Sequence, residues 1–411
     1  MRARLAAVLF TVACGGTDSK PETAVVAPTP VVESIEARAQ RLARETIIID
    51  GHVDLPYRLH HIKDEGKPMP DLSAYGDEGD FDAAKAKKGG LNAPFMSIYI
   101  PSKHQKEGGA KALADSLIDS VEGIIKKWPA DFAKAHTPAE VEANFKAGRI
   151  SLLMGIENGA AIEDDLANVE HFFKRGVRYI TLTHAKDNLI CDSSYDEANT
   201  WGGMSPYGRT VVAEMNRLGI LVDISHVDDE TFYEVMKIST KPVIASHSSM
   251  RHFTPGFERN MNDDMVRALA ANGGVVMINF GSTFISQTAI EWRGKMKAEE
   301  HRFAAANKDA SDEAKEANGK TWVEKNPLPY ATAADVANHI DHVVQLVGSD
   351  HVGFGSDFDG VGDSLPVGLK DASGYPRLIQ ILLERGYTDE DIVKISSGNL
   401  LRVWLAQNNS R

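Results

Sequence analysis

Eight short apolar runs, separated by segments with helical periodicity, constrain the fold of this 411-residue chain more than any other feature. The run at 150–156 is apolar almost without interruption, which is typical of a strand covered on both faces in a parallel sheet. The eight runs lie at 46–50, 91–100, 150–156, 177–183, 219–224, 242–246, 274–279 and 351–355. Strands that alternate with helices predict an α/β protein, and eight of them favour a closed (β/α)8 TIM barrel over an open sheet.

One stretch, at about 285–330, interrupts this alternation. It is rich in Ala, Glu and Lys and has no strand pattern. We expect a helical insertion on the barrel rim, which either forms part of an access wall or is a solvated helix without functional consequence. The barrel and its insertion are predicted to form a single domain over 32–411.

The first 31 residues differ in character from the rest. Two arginines precede an apolar run at 5–13, Cys14 follows that run, and a polar, Pro-rich stretch comes next. This order is typical of a secretory signal, and the run is too short to span a bilayer as a permanent helix. The segment at 11–14 resembles a bacterial lipoprotein signal with a lipidated cysteine, followed by a tether. Ordinary signal cleavage and a disordered start are the alternatives. We expect an exported, periplasmic protein that is lipid-anchored to the cell envelope.

Charge and cysteine content exclude some classes of partner and of stabilisation. The net charge is −13 and the sequence pI is about 5.6, which argues against nucleic acid or an anionic membrane surface as the main partner. Cys14 and Cys191 are the only cysteines. If Cys14 carries lipid, no intrachain disulfide is left to stabilise the fold.

Side chains that can bind metals follow most of the predicted strands. The first strand ends in His52 and Asp54, which point to the same side of an extended chain because they are two residues apart. The later strand ends carry Glu157, His184, His226, His247 and Asp357. A lone histidine at a strand end is more often structural than a ligand. Four histidines and three carboxylates at the face where barrel enzymes have their active sites predict a metal site.

This set of side chains exceeds what one tetrahedral metal ion needs. A two-metal centre uses it better, because one carboxylate bridges the ions and a hydroxide between them is a strong nucleophile near neutral pH. Mixed imidazole and carboxylate ligands suit Zn²⁺, with Mn²⁺, Co²⁺ or iron as alternatives.

Six motifs around these residues resemble, in order and in spacing, those of the renal (membrane) dipeptidase family, peptidase family M19. They are DGHVD at 50–54, GIENG at 155–159, TLTH at 181–184, VDISH at 222–226, SHSS at 246–249 and GSDFDG at 355–360. The resemblance extends from about residue 46 to residue 404. It implies an amidohydrolase-type barrel that holds two zinc ions and cleaves dipeptides.

The resemblance also implies how the metal ligands are divided. His52 and Asp54 match the ligands of one zinc ion, and Glu157 matches the bridging carboxylate. His226 and His247 match the two histidine ligands of the second zinc ion.

Three further residues match groups that handle the substrate. His184 matches a histidine near the scissile carbonyl, and Asp357 matches the aspartate that contacts the substrate and transfers the proton. Arg259 resembles the arginine that holds the substrate carboxylate. Because the segment between His247 and this arginine differs slightly in length from that of mammalian relatives, Arg251 is the alternative.

The expected activity is hydrolysis of free dipeptides, with an L residue first and an L or D residue second, by the metal-bridging hydroxide. One alternative is another binuclear amidohydrolase that acts on N-acyl amino acids or β-lactam-like rings. A second alternative is a non-catalytic exported binding lipoprotein. The family often forms dimers, so a homodimer is a further expectation.

Overall fold

The structure, a computed structural model, describes residues 9–13, 15 and 33–408. The chain divides into two units, Met1–Ser34 and Ile35–Arg411. In the first unit, the described residues 9–13 and 15 form no helix or strand. Cys14 and most of the predicted signal and tether lie outside the described residues, so their assignment stays a prediction.

Eight parallel strands close into a barrel, which confirms the predicted TIM-barrel fold. Over 33–408 the strands are β1 (Ile48–Val53), β2 (Leu91–Tyr99), β3 (Phe132–Lys134), β4 (Ile150–Glu157), β5 (Val177–Thr181), β6 (Leu221–Asp223), β7 (Ile244–Ser248), β8 (Val275–Ile278) and β9 (Val352–Phe354). The order is β2-β1-β9-β8-β7-β6-β5-β4, and β2 also pairs with β4, which closes the ring. The short β3 pairs with the beginning of β4 and was not predicted.

Helices lie between the strands and around the barrel. Over the same described range they are α1 (Ile35–Glu45), α2 (Leu55–Asp64), α3 (Ala83–Gly89), α4 (His104–Glu107), α5 (Ala110–Lys127), α6 (Pro138–Lys146), α7 (Ala167–Arg175), α8 (Pro206–Leu218), α9 (Asp229–Ile238), α10 (Asp263–Ala271), α11 (Ser282–Ile285), α12 (Gln287–Ala306), α13 (Asp312–Lys325), α14 (Ala333–Val347), α15 (Tyr375–Glu384), α16 (Asp389–Val393) and α17 (Asn399–Gln407). None of these described helices is both long and apolar enough to cross a membrane.

Local sequence explains where the helices begin and end, as α8 illustrates. The Ser205 hydroxyl accepts a hydrogen bond from the Gly208 N–H, and Pro206 occupies the first turn. Gly219 ends the helix with φ of 80°, a left-handed conformation that a residue without Cβ adopts at little cost. The next strand can therefore begin two residues later.

Apolar side chains fill the inside of the barrel and leave its carboxyl end for polar groups. Each barrel strand except β9 contributes to this inner cluster, and α17 packs against it with Leu400, Val403 and Trp404. The rings of Trp404 and Phe95 are 5.9 Å apart. The strand residues of the cluster are Ile49, Ala93, Phe95, Leu153, Tyr179, Leu221, Ile244, Val275 and Met277.

Two helices, α12 and α13, occupy most of the stretch at about 285–330. They bury little: Ala289 is the buried residue of α12, and α13 has none. The rings of Trp292 and Trp322 lie 5.5 Å apart, and the Trp292 indole N–H donates to the Asn326 carbonyl at 2.6 Å. The pair of helices is thus held together by a few aromatic and polar contacts.

Candidate metal centre and active site

Seven side chains from six strand ends meet at the carboxyl face of the barrel. The strands are β1, β4, β5, β6, β7 and β9, and all the side chains are buried except His184, whose side chain is 21% exposed. The seven residues are His52, Asp54, Glu157, His184, His226, His247 and Asp357. These are the residues on which the sequence-based hypothesis of a metal site depends.

Glu157 lies at the centre of the group and contacts histidines with both carboxylate oxygens. Its Oε2 lies 3.3 Å from His52 Nε2, and the same nitrogen lies 3.3 Å from Asp54 Oδ2. Its Oε1 lies 3.0 Å from His226 Nε2 and 3.3 Å from His247 Nε2. A carboxylate whose two oxygens face two different sets of metal-binding side chains has the geometry of a bridging ligand.

Tyr179 orients His52 from inside the barrel. The Tyr179 hydroxyl donates to the Gly51 carbonyl at 3.1 Å, so it accepts the hydrogen bond from His52 Nδ1 at 2.9 Å. The unprotonated Nε2 then faces Glu157, as metal ligation requires. The ring reaches this place because residue 155 is glycine: a Cβ on Gly155 would lie 2.0 Å from it.

Ser246 connects His247 to a buried carboxylate. The Ser246 hydroxyl donates to Asp223 Oδ2 at 2.6 Å and accepts from His247 Nδ1 at 2.7 Å. Asp223 also accepts the backbone N–H groups of Ser225 and Ser246 at 3.1 and 2.8 Å. This chain of bonds leaves His247 Nε2 unprotonated and directed at Glu157.

Asp50 joins the first and last strands of the barrel beneath the site. Its carboxylate accepts the backbone N–H of His52 at 2.9 Å and that of Ser356 at 3.0 Å, and the Tyr375 hydroxyl donates to it. Burial raises the pKa of Asp50 to about 6, against the effect of these hydrogen bonds. Asp50 therefore fixes the backbone on which His52 and Asp357 are mounted.

Asp357 is a buried carboxyl group close to two others. Burial raises its pKa to about 8, and the charges of Asp54 and Glu157 add to the rise. The Asn279 amide donates to Asp357 Oδ2 at 2.7 Å. A Cβ on Gly360 would lie 2.1 Å from Asp54 Oδ2 and 2.3 Å from Asp357 Oδ1, so only glycine fits beside this pair.

Two of the functional residues have left-handed backbone conformations. The φ angles are 72° for His226 and 64° for Asp357. This region is disfavoured for residues other than glycine, and such strain concentrates at functional sites. Both bends come just after a strand, β6 and β9 respectively.

Burial keeps three of the four histidines of the centre in the form that binds metal, whereas at His52 the effect of burial is outweighed by Tyr179, Glu157 and Asp54, which raise its pKa well above the usual value. Burial lowers the pKa of His226 and of His247 well below the usual value, and the charge of Arg259 acts in the same direction. It also lowers the pKa of His184. Neutral imidazole is the ligating form of histidine.

The donor atoms fit metal ions. The Nε2 atom of His52 is buried without a hydrogen-bond partner, a costly arrangement that a cation between it and the carboxylates would relieve. Ligand atoms within 4.8 Å of one another form three overlapping groups: His52, Glu157 and His247; Glu157, His184 and His226; and His52, Asp54 and Asp357. Imidazole and carboxylate donors in this proportion suit Zn²⁺ or a similar transition metal.

The structure separates the two candidate arginines. Arg251 makes an ion pair with Asp229, with nitrogen–oxygen distances of 2.8 and 2.6 Å, and also donates to the backbone. Arg259 is 3% exposed and donates to the Ser248 hydroxyl and to the His247 carbonyl, while its Nε–H is buried without a partner. Arg259 thus borders the centre and has a donor to offer, whereas Arg251 is engaged elsewhere.

A cavity of about 980 Å³ opens above the metal ligands. Its walls come from the strand ends, from the insertion and from the loop after β9. Tyr99 stands beside His184, with ring centroids 4.8 Å apart, and Tyr195 stands beside His226 at 5.9 Å. The volume suits a small molecule with a few convergent polar groups around it.

A model of the membrane dipeptidase family (peptidase family M19) matches residues 36–411. The chain belongs to the membrane dipeptidase family. It is therefore a metallodipeptidase of that family, as its sequence motifs indicate.

Solved structures show the same fold. A probable dipeptidase, PvdM, from Pseudomonas aeruginosa is 23% identical, with 91% of this chain and 98% of that chain covered and a TM-score of 0.79. A metallo peptidase from Rhodobacter sphaeroides, liganded with a phosphinate mimic of the dipeptide L-Ala-D-Ala, is 24% identical, with 88% and 99% covered and a TM-score of 0.70. An amidohydrolase from Pseudomonas aeruginosa is 23% identical, with 90% and 98% covered and a TM-score of 0.68.

The sequence analysis did not identify the residues that orient the candidate ligands and Asp357 by hydrogen bonds. Asp50 precedes His52 by two residues and Asp223 precedes His226 by three, a local signal that could have been used. Tyr179 and Asn279 reach the site only through strand neighbours distant in sequence.

Proposed function

We propose that this metallodipeptidase binds two Zn²⁺ ions and hydrolyses free dipeptides with an L residue first and an L or D residue second. The observation that carries the proposal is the Glu157 carboxylate, whose two oxygens face His52 on one side and His226 and His247 on the other. Bound there, two divalent ions supply Lewis-acid activation of the carbonyl and a water of lowered pKa.

Asp357 is placed to transfer protons. Its carboxyl group lies near Asp54 and Glu157, and its pKa of about 8 allows it to exchange a proton near neutral pH. In hydrolysis it accepts the proton of the attacking water and delivers it to the leaving amine. The hydrogen bond from Asn279 holds the carboxyl group in one orientation.

His184 and Arg259 are assigned to the substrate. His184 is the most exposed of the strand-end histidines, and its Nε2 lies 3.6 Å from Glu157 Oε1, so it can reach a carbonyl oxygen beside the metals. Arg259 offers a buried, unpartnered Nε–H to the substrate's terminal carboxylate. A terminal carboxylate held at a fixed distance from the metals restricts the site to short substrates.

The test is a substrate panel on protein whose metal content is measured. We expect two ions per chain, turnover of L-Ala-L-Ala and L-Ala-D-Ala, and no turnover of tripeptides. Preference for N-acetyl amino acids or for a β-lactam would instead support another binuclear amidohydrolase. Well under two ions per chain, with no hydrolysis after addition of Zn²⁺ or Mn²⁺, would support a binding protein.

We further propose that the protein is exported, lipid-anchored at Cys14 in the bacterial envelope, and dimeric. The order of charged, apolar and Pro-rich segments before residue 32 supports the anchor, and the family resemblance supports the dimer. Radiolabelled palmitate should enter the wild-type protein and not Cys14→Ser, and light scattering of the detergent-solubilised protein should give twice the chain mass.

A further inference from the structure

One face of α12 lines the cavity above the metal ligands. Trp292, Arg293, Met296 and Lys297 contribute to the cavity wall. Trp292 and Met296 are four positions apart, as are Arg293 and Lys297, so each pair is adjacent on the helix surface. Lys295 is exposed and does not line the cavity. The insertion is therefore part of the access wall, with a cationic side.

Arg293 is half-buried in this wall and has no ion pair or hydrogen bond with the described residues. Its charge acts on Tyr195, which stands beside His226. A guanidinium group that faces a cavity without a protein partner is free to bind an anion.

Arg293 lines the cavity, and Arg259 lies buried beneath it; the charges of both act on Tyr195, which also lines the cavity. The Arg259 guanidinium lies over the Phe284 ring at 5.6 Å, and Phe257 connects Phe284 to Tyr195 with centroid distances of 6.0 and 6.2 Å. Desolvation raises the pKa of Tyr195, and the charges of Arg259 and Arg293 both oppose the rise. Arg259 is the more buried cation at 3% exposed, and Arg293 is half-buried.

Other charges of the cavity wall are already compensated or lie towards its mouth. Asp359 pairs with Arg58 at 3.1 Å. Asp363 accepts from the Tyr330 hydroxyl at 2.6 Å and from Lys370 at 3.3 Å. Lys297 on α12 adds a positive charge to the wall, and Glu324 on α13 adds a negative charge. Among the described residues of this wall, Arg293 is a half-buried cation without an ion pair or hydrogen bond.

We propose that Arg293 binds an anionic side chain on the C-terminal residue of the substrate, so that the enzyme favours dipeptides that end in Glu or Asp. The inference rests on the proposed function, because Arg259 must hold the α-carboxylate for the side chain to point at α12. The two carboxylates of one C-terminal residue would then meet two guanidinium groups, those of Arg259 and Arg293.

The test compares L-Ala-L-Glu with its neutral isostere L-Ala-L-Gln and with L-Ala-L-Ala, using metal-loaded full-length protein. In the wild type we expect kcat/KM to be highest for L-Ala-L-Glu. Arg293→Ala should lower kcat/KM for L-Ala-L-Glu by about 10- to 100-fold, the size of one charge-assisted hydrogen bond, and change the other two substrates little. Arg293→Lys should restore part of the loss, and Arg293→Glu should deepen it.

Lys295→Ala is the matched control, since Lys295 is on the same helix but outside the cavity wall. Equal losses on L-Ala-L-Glu and L-Ala-L-Gln in Arg293→Ala, or a wild type that does not prefer the acidic substrate, would overturn the inference. If wild-type protein with two metal ions hydrolyses none of the three dipeptides, the proposed function itself fails. The two failures are therefore distinguishable.

Discussion

The strand-end centre and the insertion above it are built in opposite ways. In the centre, two buried histidines are fixed by a hydrogen bond at Nδ1, that of His52 with Tyr179 and that of His247 with Ser246. In the insertion, α12 buries only Ala289 and α13 buries nothing. The candidate metal ligands are therefore mounted on a rigid barrel, whereas the wall of the cavity above them is lightly attached. If the wall selects the substrate, as we propose, it can change without disturbing the ligands.

The strongest way to break this division is to remove the residue that joins the two ligand sets. Glu157→Gln should lose metal and lower kcat/KM by more than about 100-fold. This loss should exceed the 10- to 100-fold effect that is typical when a residue hydrogen-bonded to a metal ligand is changed. Metal content after dialysis and dipeptide kinetics measure both effects. Glu313→Gln, exposed on α13, is the control, and wild-type activity in Glu157→Gln would refute the bridging role.

The proton-transfer role of Asp357 can be separated from metal binding. Asp357→Asn keeps the shape of the side chain but removes its proton chemistry. We expect kcat to fall by about 100- to 10,000-fold while most of the metal is retained. Mass spectrometry of bound metal beside steady-state kinetics tests this, with Asp363→Asn at the cavity mouth as the control. Full turnover in Asp357→Asn would assign the proton to another group.

The hydrogen bond between His52 Nδ1 and the Tyr179 hydroxyl should affect metal binding less than the ligands themselves do. Its effect should still exceed that of the residues of the insertion. Tyr179→Phe removes the acceptor for His52 Nδ1 and should weaken metal affinity by about 10- to 100-fold. Competition with a zinc chelator measures the change. Tyr207→Phe is the control, because the buried Tyr207 hydroxyl has no hydrogen-bond partner. Equal affinities in both variants would show that Tyr179 only fills the barrel.

Metal-dependent stability should vary with pH through Asp357. In the metal-free protein its pKa is raised to about 8, so its proton stabilises the fold at low pH and that contribution is lost as pH rises towards 8. A cation bound at the neighbouring ligands favours the ionised carboxylate of Asp357, so the rise in Tm caused by Zn²⁺ should grow between pH 6 and pH 8. Calorimetry with and without Zn²⁺ measures it. Asp357→Asn should flatten the increase, and an unchanged slope would contradict the assignment.

The smallest effect is expected from the insertion. Trp292→Ala removes the contact with Trp322 and the hydrogen bond to Asn326, so α12 loses two of its contacts with α13 and the residue that follows it. We expect KM to rise several-fold with metal content and Tm nearly unchanged, since surface changes typically cost less than about 0.5 kcal/mol. A loss of metal in this variant would show that wall and centre are coupled after all.

The sequence predicts the ligands better than it predicts their support. Strand ends and the spacing of His52 and Asp54 are local signals, and the barrel brings equivalent strand ends together. The links from Tyr179 to His52 and from Asn279 to Asp357 span 127 and 78 positions, so only the closed barrel reveals them. The choice between Arg251 and Arg259 also needed the structure, because only the ion pair with Asp229 shows which guanidinium is engaged.

We propose that Glu157 joins two sets of metal ligands, so that two ions act together on a dipeptide. Titration of the metal-free protein with Zn²⁺, followed by both bound metal and turnover of L-Ala-D-Ala, tests it most directly. We expect binding to saturate at two ions per chain and activity to reach its plateau only when the second site fills. Saturation at one ion with full activity would contradict the account.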